Sequence, residues 1–160
     1  MAQRNGRTRV RVGVLEDERS NARVWLRWLD GERGWAEPED TNFTTLAEAV
    51  DWIGSQPDAS WLLTVDLDLG EGGVPDELEN TREALESEDP LLARLEGAVL
   101  LRWLQESDLL GHVLVVTGIA YGSLQEWLDT LGVSYRMKPV RARHIVQALR
   151  ELWSGLHREG

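Results

Sequence analysis

Apolar and polar positions along the chain follow two periods, an alternating one typical of strands and a three-to-four-residue one typical of helices. Apolar runs predict five short strands, in chain order at 9–15, 41–45, 61–65, 112–116 and 133–137. Helical spacing of apolar residues predicts five helices between and after them, at 20–30, 46–53, 97–105, 123–131 and 141–152. A regular alternation of strands and helices predicts a parallel sheet with helices packed on both faces.

Some element boundaries depend on single residues. Ser20 is the expected N-cap of the first helix, because a serine hydroxyl accepts a hydrogen bond from a free backbone amide. Residues 31–40 are polar and contain Pro38, so they predict a loop and leave the second strand at 41–45, as an edge strand. The second helix is expected to bury one face, formed by Ala47, Val50 and Ile53.

The charge of the chain is unevenly distributed. The formal net charge is −11, but residues 71–96 hold nine of the acids and only two bases. We call these residues the acidic segment; they predict a helix at 76–86 and a solvated insertion, with a lid or a partner-docking face as alternatives. An acidic chain without clustered lysines and arginines is not expected to bind nucleic acid.

Composition also predicts the cellular compartment and the number of domains. Cysteine is absent, which excludes disulfides and zinc–thiolate sites and fits a reducing compartment, so the expected location is cytoplasmic. No run approaches the ~18 apolar residues of a membrane span, and the N-terminus lacks the apolar region of a signal peptide. The length predicts a single domain over 1–160, interrupted by the acidic segment and without room for a further output domain.

Polar side chains follow four of the predicted strands. In chain order they are Glu16 and Asp17, Asp66 and Asp68, Thr117, and Lys138 with Pro139. In open parallel sheets, ligands bind at the carboxyl ends of the strands, where these side chains would converge. Clustered carboxylates repel each other unless a cation lies between them, and Mg²⁺ prefers a few carboxylates together with water and phosphoryl oxygens. The sequence therefore predicts a Mg²⁺ site at this edge.

Five short motifs resemble those of response-regulator receiver domains, the CheY-like modules of two-component signalling. In family order they are VGVLEDE, PDASWLLTVDLDL, GAVLLRWLQ, VLVVTG and YRMKPV, and the match runs from about residue 10 to residue 153. Each motif alone is weakly specific, but five in register at strand ends are a strong signal. The resemblance implies a flavodoxin-like α/β fold, a (βα)5 three-layer sandwich with five parallel strands ordered 2-1-3-4-5.

The resemblance implies a role for each acidic residue at the strand ends. Asp66 matches the aspartate that accepts the phosphoryl group. Glu16 and Asp17 match the acidic pair that holds Mg²⁺, together with Asp66 and the backbone carbonyl of Asp68. The family therefore implies Mg²⁺ as cofactor and a phosphoprotein as product.

The remaining strand-end residues match the family's charge-neutralising and switch positions. Lys138 matches the lysine that pairs with the acids, and its bond to Pro139 is expected to be cis. Lys138 and Thr117 would complete the catalytic set with the acceptor aspartate. Thr117 and Tyr135 would also be switch residues, and the surface formed by 123–137 and the last helix would be the output face.

The function implied is that of a stand-alone phosphorelay receiver. Its donor would be a histidine kinase or a histidine phosphotransfer protein, and its output would be contact with a downstream protein that the sequence does not identify. The chain would phosphorylate itself without turning over many substrate molecules, and a homodimer is one arrangement that the sequence leaves open.

The chain also departs from the family pattern, and two alternatives follow. Gly70 replaces a proline, Asp68 adds a charge, and the glycine that opens the third helix is displaced to Gly97. A pseudo-receiver that binds partners without phosphorylation is the first alternative. The second is a haloacid-dehalogenase-type phosphatase, because TVDLDLG also resembles the Asp-x-Asp motif of those enzymes, although no acidic pair follows the lysine here.

Overall fold

A computed structural model describes residues 9–32, 34–70, 73–119 and 121–159, in which five strands form one parallel sheet. The strands are β1 (Val10–Leu15), β2 (Ala36–Pro38), β3 (Trp61–Val65), β4 (Val113–Thr117) and β5 (Ser134–Met137). The helices of the described residues are α1 (Arg19–Asp30), α2 (Leu46–Gly54), α3 (Glu79–Glu88), α4 (Glu96–Glu106), α5 (Gly122–Leu131) and α6 (Ala142–Glu159). The strand order is β2-β1-β3-β4-β5, which confirms the predicted flavodoxin-like topology.

The sheet separates two hydrophobic cores. Successive side chains of a strand point to opposite faces, so Val12 and Val14 of β1 pack with α1 and α6, whereas Leu63 and Val65 of β3 pack with the helices α2 to α5. β3 and β4 are buried along their whole length, as expected for central strands covered on both faces. None of the described helices is long and apolar enough to cross a membrane.

The second strand lies outside the range that the sequence predicts for it. β2 forms within the predicted loop, and residues 41–45 contribute only an isolated bridge between Leu15 and Phe43. The pairing is set by β1, since the Val10 amide donates to the carbonyl of the buried Trp35, directly before β2, at 2.7 Å. An edge strand is determined by the neighbour it pairs with, which the local sequence of β2 does not show.

The predicted N-cap of the first helix is wrong. α1 begins at Arg19, so Ser20 lies within its first turn, and Glu18 occupies the N-cap position without a side-chain cap. The physical reason is a hydrogen bond just before the helix: the Glu18 amide donates to the Glu16 carboxylate at 3.1 Å, so the helix begins directly after Glu18.

The predicted buried face of the second helix is partly wrong. Ala47 is exposed, and the buried residues are Leu46, Ala49, Val50, Trp52 and Ile53. A capping box between Thr45 and Glu48 sets the start of α2 and therefore the rotation of its faces. The last helix is also longer than predicted, because Trp153 and Leu156 continue to pack against the core beside α1.

The acidic segment is packed and does not form a solvated excursion. Residues 71 and 72 at its start lie outside the described residues. Beyond them, α3 packs against α4, and the guanidinium of Arg102 in α4 donates to both carboxylate oxygens of Glu88. Four apolar side chains of the segment are buried: Leu78, Leu85, Leu92 and Ala93.

Candidate functional site

Glu16 and Asp17 directly follow β1, at the carboxyl edge of the sheet. Glu16 is fully buried and Asp17 is exposed. The backbone of Glu16 is held on both sides, because its amide donates to the Phe43 carbonyl at 2.9 Å and its carbonyl accepts from Asn42 Nδ2 at 2.6 Å. Its Oε2 atom accepts the Glu18 amide, so the carboxylate has a fixed orientation.

Asp66 and Lys138 meet at the same edge. Asp66 follows β3 and is 6% exposed. Lys138 follows β5, and its Nζ lies 3.2 Å from Asp66 Oδ2 and 2.7 Å from Glu16 Oε1. The Lys138 amide donates to the Thr117 carbonyl at 2.9 Å, and the bond to Pro139 is cis, as the family resemblance implies.

Three carboxylates in this cluster are arranged so that they can share one cation. One oxygen from each of Glu16, Asp17 and Asp66 lies within 4.8 Å of the others. Buried Glu16 Oε1 has one close partner among the described residues, the Lys138 ammonium at 2.7 Å. Three carboxylates and one ammonium leave an excess of negative charge, so this oxygen-only donor set fits a hard divalent ion such as Mg²⁺.

The titration of the cluster reflects its burial. Burial raises the pKa of Glu16 to about 8, against the opposing effect of the Lys138 ammonium. Burial also raises the pKa of Asp66, again opposed by Lys138. Burial alone would lower the pKa of Lys138, but the hydrogen bond and charge of the two carboxylates outweigh it and raise that pKa. Without a metal ion, the carboxylate pair therefore retains a proton near neutral pH.

Two hydrogen bonds between side chains and backbone amides organise residues 66–70. The Asp68 amide donates to Asp66 Oδ1 at 3.3 Å, and the Asp68 carboxylate accepts the Gly70 amide at 3.1 Å. Gly70 has a φ of 79°, a conformation that glycine adopts without strain. The Asp68 side chain is exposed and is not part of the three-carboxylate cluster, and the metal-ligand role of its carbonyl remains a prediction.

The two expected switch residues lie on neighbouring strands, one at the end of the central strand β4 and the other within the edge strand β5. Thr117 is fully buried at the end of β4, and its hydroxyl accepts the Ile119 amide at 3.3 Å. Tyr135 is half-buried in β5, and its hydroxyl donates to Asp129 of α5 at 3.1 Å. The structure thus joins Tyr135 to α5 and does not place it in the carboxylate cluster; the switch roles remain predictions.

Comparison with known structures shows which fold this is. The receiver domain of a Francisella response regulator matches with a TM-score of 0.65 and 13% identity, covering 92% of this chain and 98% of that one. A CheY-like receiver domain protein from Methanospirillum hungatei JF-1 matches at 0.59 and 20%, covering 95% and 99%. The receiver domain of a signal transduction histidine kinase from Syntrophus aciditrophicus matches at 0.61 and 19%, covering 93% of each chain.

The chain has the fold of a response-regulator receiver domain. No family model and no curated protein sequence matches it. In this receiver fold, the loops after β1, β3 and β5 bring Glu16, Asp17, Asp66 and Lys138 to one edge of the sheet.

Two residues that support the site in this receiver fold were not identified from the sequence. Asn42 donates to the Glu16 carbonyl, and Glu96 Oε1 at the start of α4 accepts the Leu69 amide at 3.0 Å. Neither belongs to a motif, because each contacts a backbone group that is distant in the chain. Glu96 closes the acidic segment, and its hydrogen bond ties that segment to the loop that carries Asp66.

Proposed function

We propose that this chain is a phosphorelay receiver that accepts a phosphoryl group on Asp66 in a Mg²⁺-dependent reaction. The observation that carries the proposal is the position of Lys138 Nζ, 3.2 Å from Asp66 and 2.7 Å from Glu16, at the edge where Asp17 adds a third carboxylate. A structural ion pair needs one carboxylate for one ammonium. The additional acids, three carboxylates around one ammonium, support a site for a further cation.

The carboxylates of Glu16, Asp17 and Asp66 would hold the ion, and the backbone carbonyl of Asp68 is the further proposed ligand. When bound, Mg²⁺ neutralises charge on the phosphoryl oxygens, which is the main contribution a protein makes to a loose phosphoryl transition state. Asp17 is the exposed member of the set and faces the solvent from which the ion enters.

Asp66 acts as the nucleophile. A carboxylate oxygen forms a bond to phosphorus while the bond from phosphorus to the donor breaks, and the leaving group takes that electron pair. The product is an acyl phosphate on Asp66. Lys138 keeps its proton, in accord with its raised pKa, and neutralises the charge that the new phosphoryl group brings.

The donor and output partners follow from this chemistry. A phosphohistidine on a histidine kinase or a phosphotransfer protein is the donor class we propose. Thr117 would turn its hydroxyl from the Ile119 amide toward the phosphoryl oxygens, and Tyr135 would leave Asp129. A downstream protein would read the resulting change on α5 and β5, so the output is a protein–protein contact.

The decisive experiment is incubation with acetyl phosphate and Mg²⁺, followed by intact-mass measurement. We expect wild type to gain about 80 Da, the mass of one phosphoryl group, and to lose the gain when EDTA replaces Mg²⁺. Asp66→Asn should show no gain. Asp68→Asn is the matched control: it removes the same charge two residues away and should still be phosphorylated.

Two outcomes would contradict the proposal. If neither acetyl phosphate nor a phosphohistidine donor modified the chain, the proposed function would be wrong, and a binding module that works without phosphorylation would be the better interpretation. If a phosphatase substrate were hydrolysed over many turnovers, the phosphatase alternative would replace it. A single stoichiometric burst of phosphorylation supports the receiver.

A further inference from the structure

A second polar cavity lies beside α1, and its lining includes none of the proposed phosphoryl-site residues. It has a volume of about 380 Å³ and lies between α1 and the loop at 38–42 that follows β2. Cavities of a few hundred Å³ are typical of small-molecule sites. Arg19, Arg23 and Arg27 line the wall formed by α1. Because they are spaced four residues apart, they project from one side of the helix, with a rise of about 6 Å between neighbours.

The three arginines of this wall have no ion-pair partner within the described part of the chain. Acids outnumber bases in this protein, with 28 aspartates and glutamates against 17 lysines and arginines. Elsewhere in the fold, Arg11 and Arg102 are paired with glutamates. The α1 wall therefore presents three guanidinium groups whose donors no carboxylate of the described residues occupies.

The acidic residues at the cavity do not cancel this charge. Glu39 is already paired with Arg11 at 2.5 Å, and Asp30 has an interaction of its own. Asp40 is the remaining acid in the lining, so three arginines face one carboxylate that has no partner among the described residues. Thr41 and Asn42 complete the opposite wall with neutral hydrogen-bonding groups.

We propose that this cavity binds a small molecule that carries an oligophosphate group. A guanidinium presents its donors in a fork that matches phosphate oxygens, and three forks along one wall favour a ligand with several anionic groups over a single carboxylate. The opposing wall at 38–42 gives the site two sides, which favours a small molecule over an acidic protein surface. The proposal does not depend on phosphorylation of Asp66.

Asn42 connects the cavity to the first site. It lines the cavity, and its Nδ2 donates to the Glu16 carbonyl at 2.6 Å. A ligand in contact with Asn42 would therefore lie one hydrogen bond from the backbone that carries Glu16.

The test is titration of the full chain with inorganic triphosphate in EDTA, followed by calorimetry and by backbone amide NMR. We expect saturable one-to-one binding, with the largest amide shifts at 19–27 and 39–42. Charge-assisted hydrogen bonds make each arginine worth about tenfold in affinity, so Arg23→Gln should weaken binding about tenfold and Arg23→Gln/Arg27→Gln about a hundredfold. Asp66→Asn should bind as wild type does.

The matched control is Arg143→Gln/Arg150→Gln, which removes the same charge from exposed positions of α6. It should change the affinity less than about twofold. Equal weakening by both double variants would mean non-specific attraction and would overturn the proposal. No binding, or tighter binding of hexaglutamate than of triphosphate, would also overturn it. A parallel titration with ATP distinguishes two kinds of oligophosphate ligand. Tighter binding of ATP than of triphosphate indicates a nucleotide, and equal binding indicates a bare oligophosphate.

Discussion

Gly97 touches the backbone of Asp66 so closely that no larger residue fits. A β-carbon at Gly97 would lie 2.4 Å from the Asp66 carbonyl oxygen and 2.5 Å from the Cα of Leu67. The Gly97 amide also donates to the Leu67 carbonyl at 2.9 Å. The start of α4 thus presses on the backbone that carries the proposed acceptor, and the position of that carboxylate depends on this glycine.

Gly97→Ala should destabilise the protein and misplace Asp66. We expect a loss of about 1–3 kcal/mol in the free energy of unfolding, because the obstructing atoms are backbone and move only with the strand. Urea denaturation measures the loss, and acetyl phosphate labelling should be slower. Gly54→Ala is the control: its β-carbon would meet nothing within 4 Å, so its stability should be unchanged or slightly higher. Equal effects of the two substitutions would contradict the close contact.

The metal-free protein should lose stability as the pH rises from about 5 to about 8. Burial raises the pKa of Glu16 to about 8 and also raises that of Asp66, so the folded state holds a proton that the unfolded state releases in this range. Stability falls with rising pH wherever the folded state binds more protons, here by roughly 1–3 kcal/mol in total. Lys138, whose pKa is raised, stays protonated throughout and adds no slope.

Urea denaturation in EDTA at several pH values between 5 and 8 measures this dependence. Glu16→Gln should show a flatter profile, because the substituted amide does not titrate. Saturating Mg²⁺ should flatten the wild-type profile as well, since a bound cation replaces the proton. A wild-type profile that is level, or that rises with pH, would be inconsistent with the buried pair described above.

Lys138→Gln should separate metal binding from phosphoryl transfer. Removing the ammonium removes a cation that competes for Glu16 and Asp66, so Mg²⁺ should bind more tightly in a calorimetric titration. Labelling by acetyl phosphate should nevertheless slow by about 100-fold or more, because no charge then neutralises the phosphoryl group. Arg136→Gln, an exposed charge two residues away, should change neither quantity. Unchanged labelling of Lys138→Gln would remove that residue from the proposed mechanism.

Leu85→Ala tests how the acidic segment is packed. Leu85 is 1% exposed and belongs to the core beneath α3 and α4, so we expect a loss of about 2–4 kcal/mol in the free energy of unfolding. Leu91→Ala makes the same change at a position in the segment that is 59% exposed, and should cost less than about 0.5 kcal/mol. Two equally small losses would mean that the segment is solvated after all.

The parts of the fold that could be predicted are those with a local signal. β3 matches its predicted bounds, because a strand buried on both faces is a continuous apolar run that ends abruptly. β2 has no such signal, since its residues Ala-Glu-Pro form a strand only beside β1. The packing of the acidic segment had a signal that its charge obscured: it contains apolar leucines among the acids, and Leu78, Leu85 and Leu92 are all buried although only Leu85 lies in α3.

The candidate site divides in the same way. Glu16, Asp66 and Lys138 could be brought together from the sequence, because topology alone sends the carboxyl ends of parallel strands to one edge. Asn42 and Glu96 could not, because they bind backbone groups whose positions depend on the completed fold. The motif correctly predicted that Tyr135 lies in the last strand. It did not predict the partner of its side chain, since the Tyr135 hydroxyl donates to Asp129 of α5.

The two cores on either side of the sheet also separate opposite charges. The unpaired arginines of α1 lie on one side of the molecule, and the glutamates of α3 lie on the other. These two groups therefore contribute a separation of charge across the sheet, in addition to the net charge of −11. In a solution of low ionic strength, a charged molecule that approaches the chain experiences a torque before any contact forms, so encounters begin with a preferred orientation.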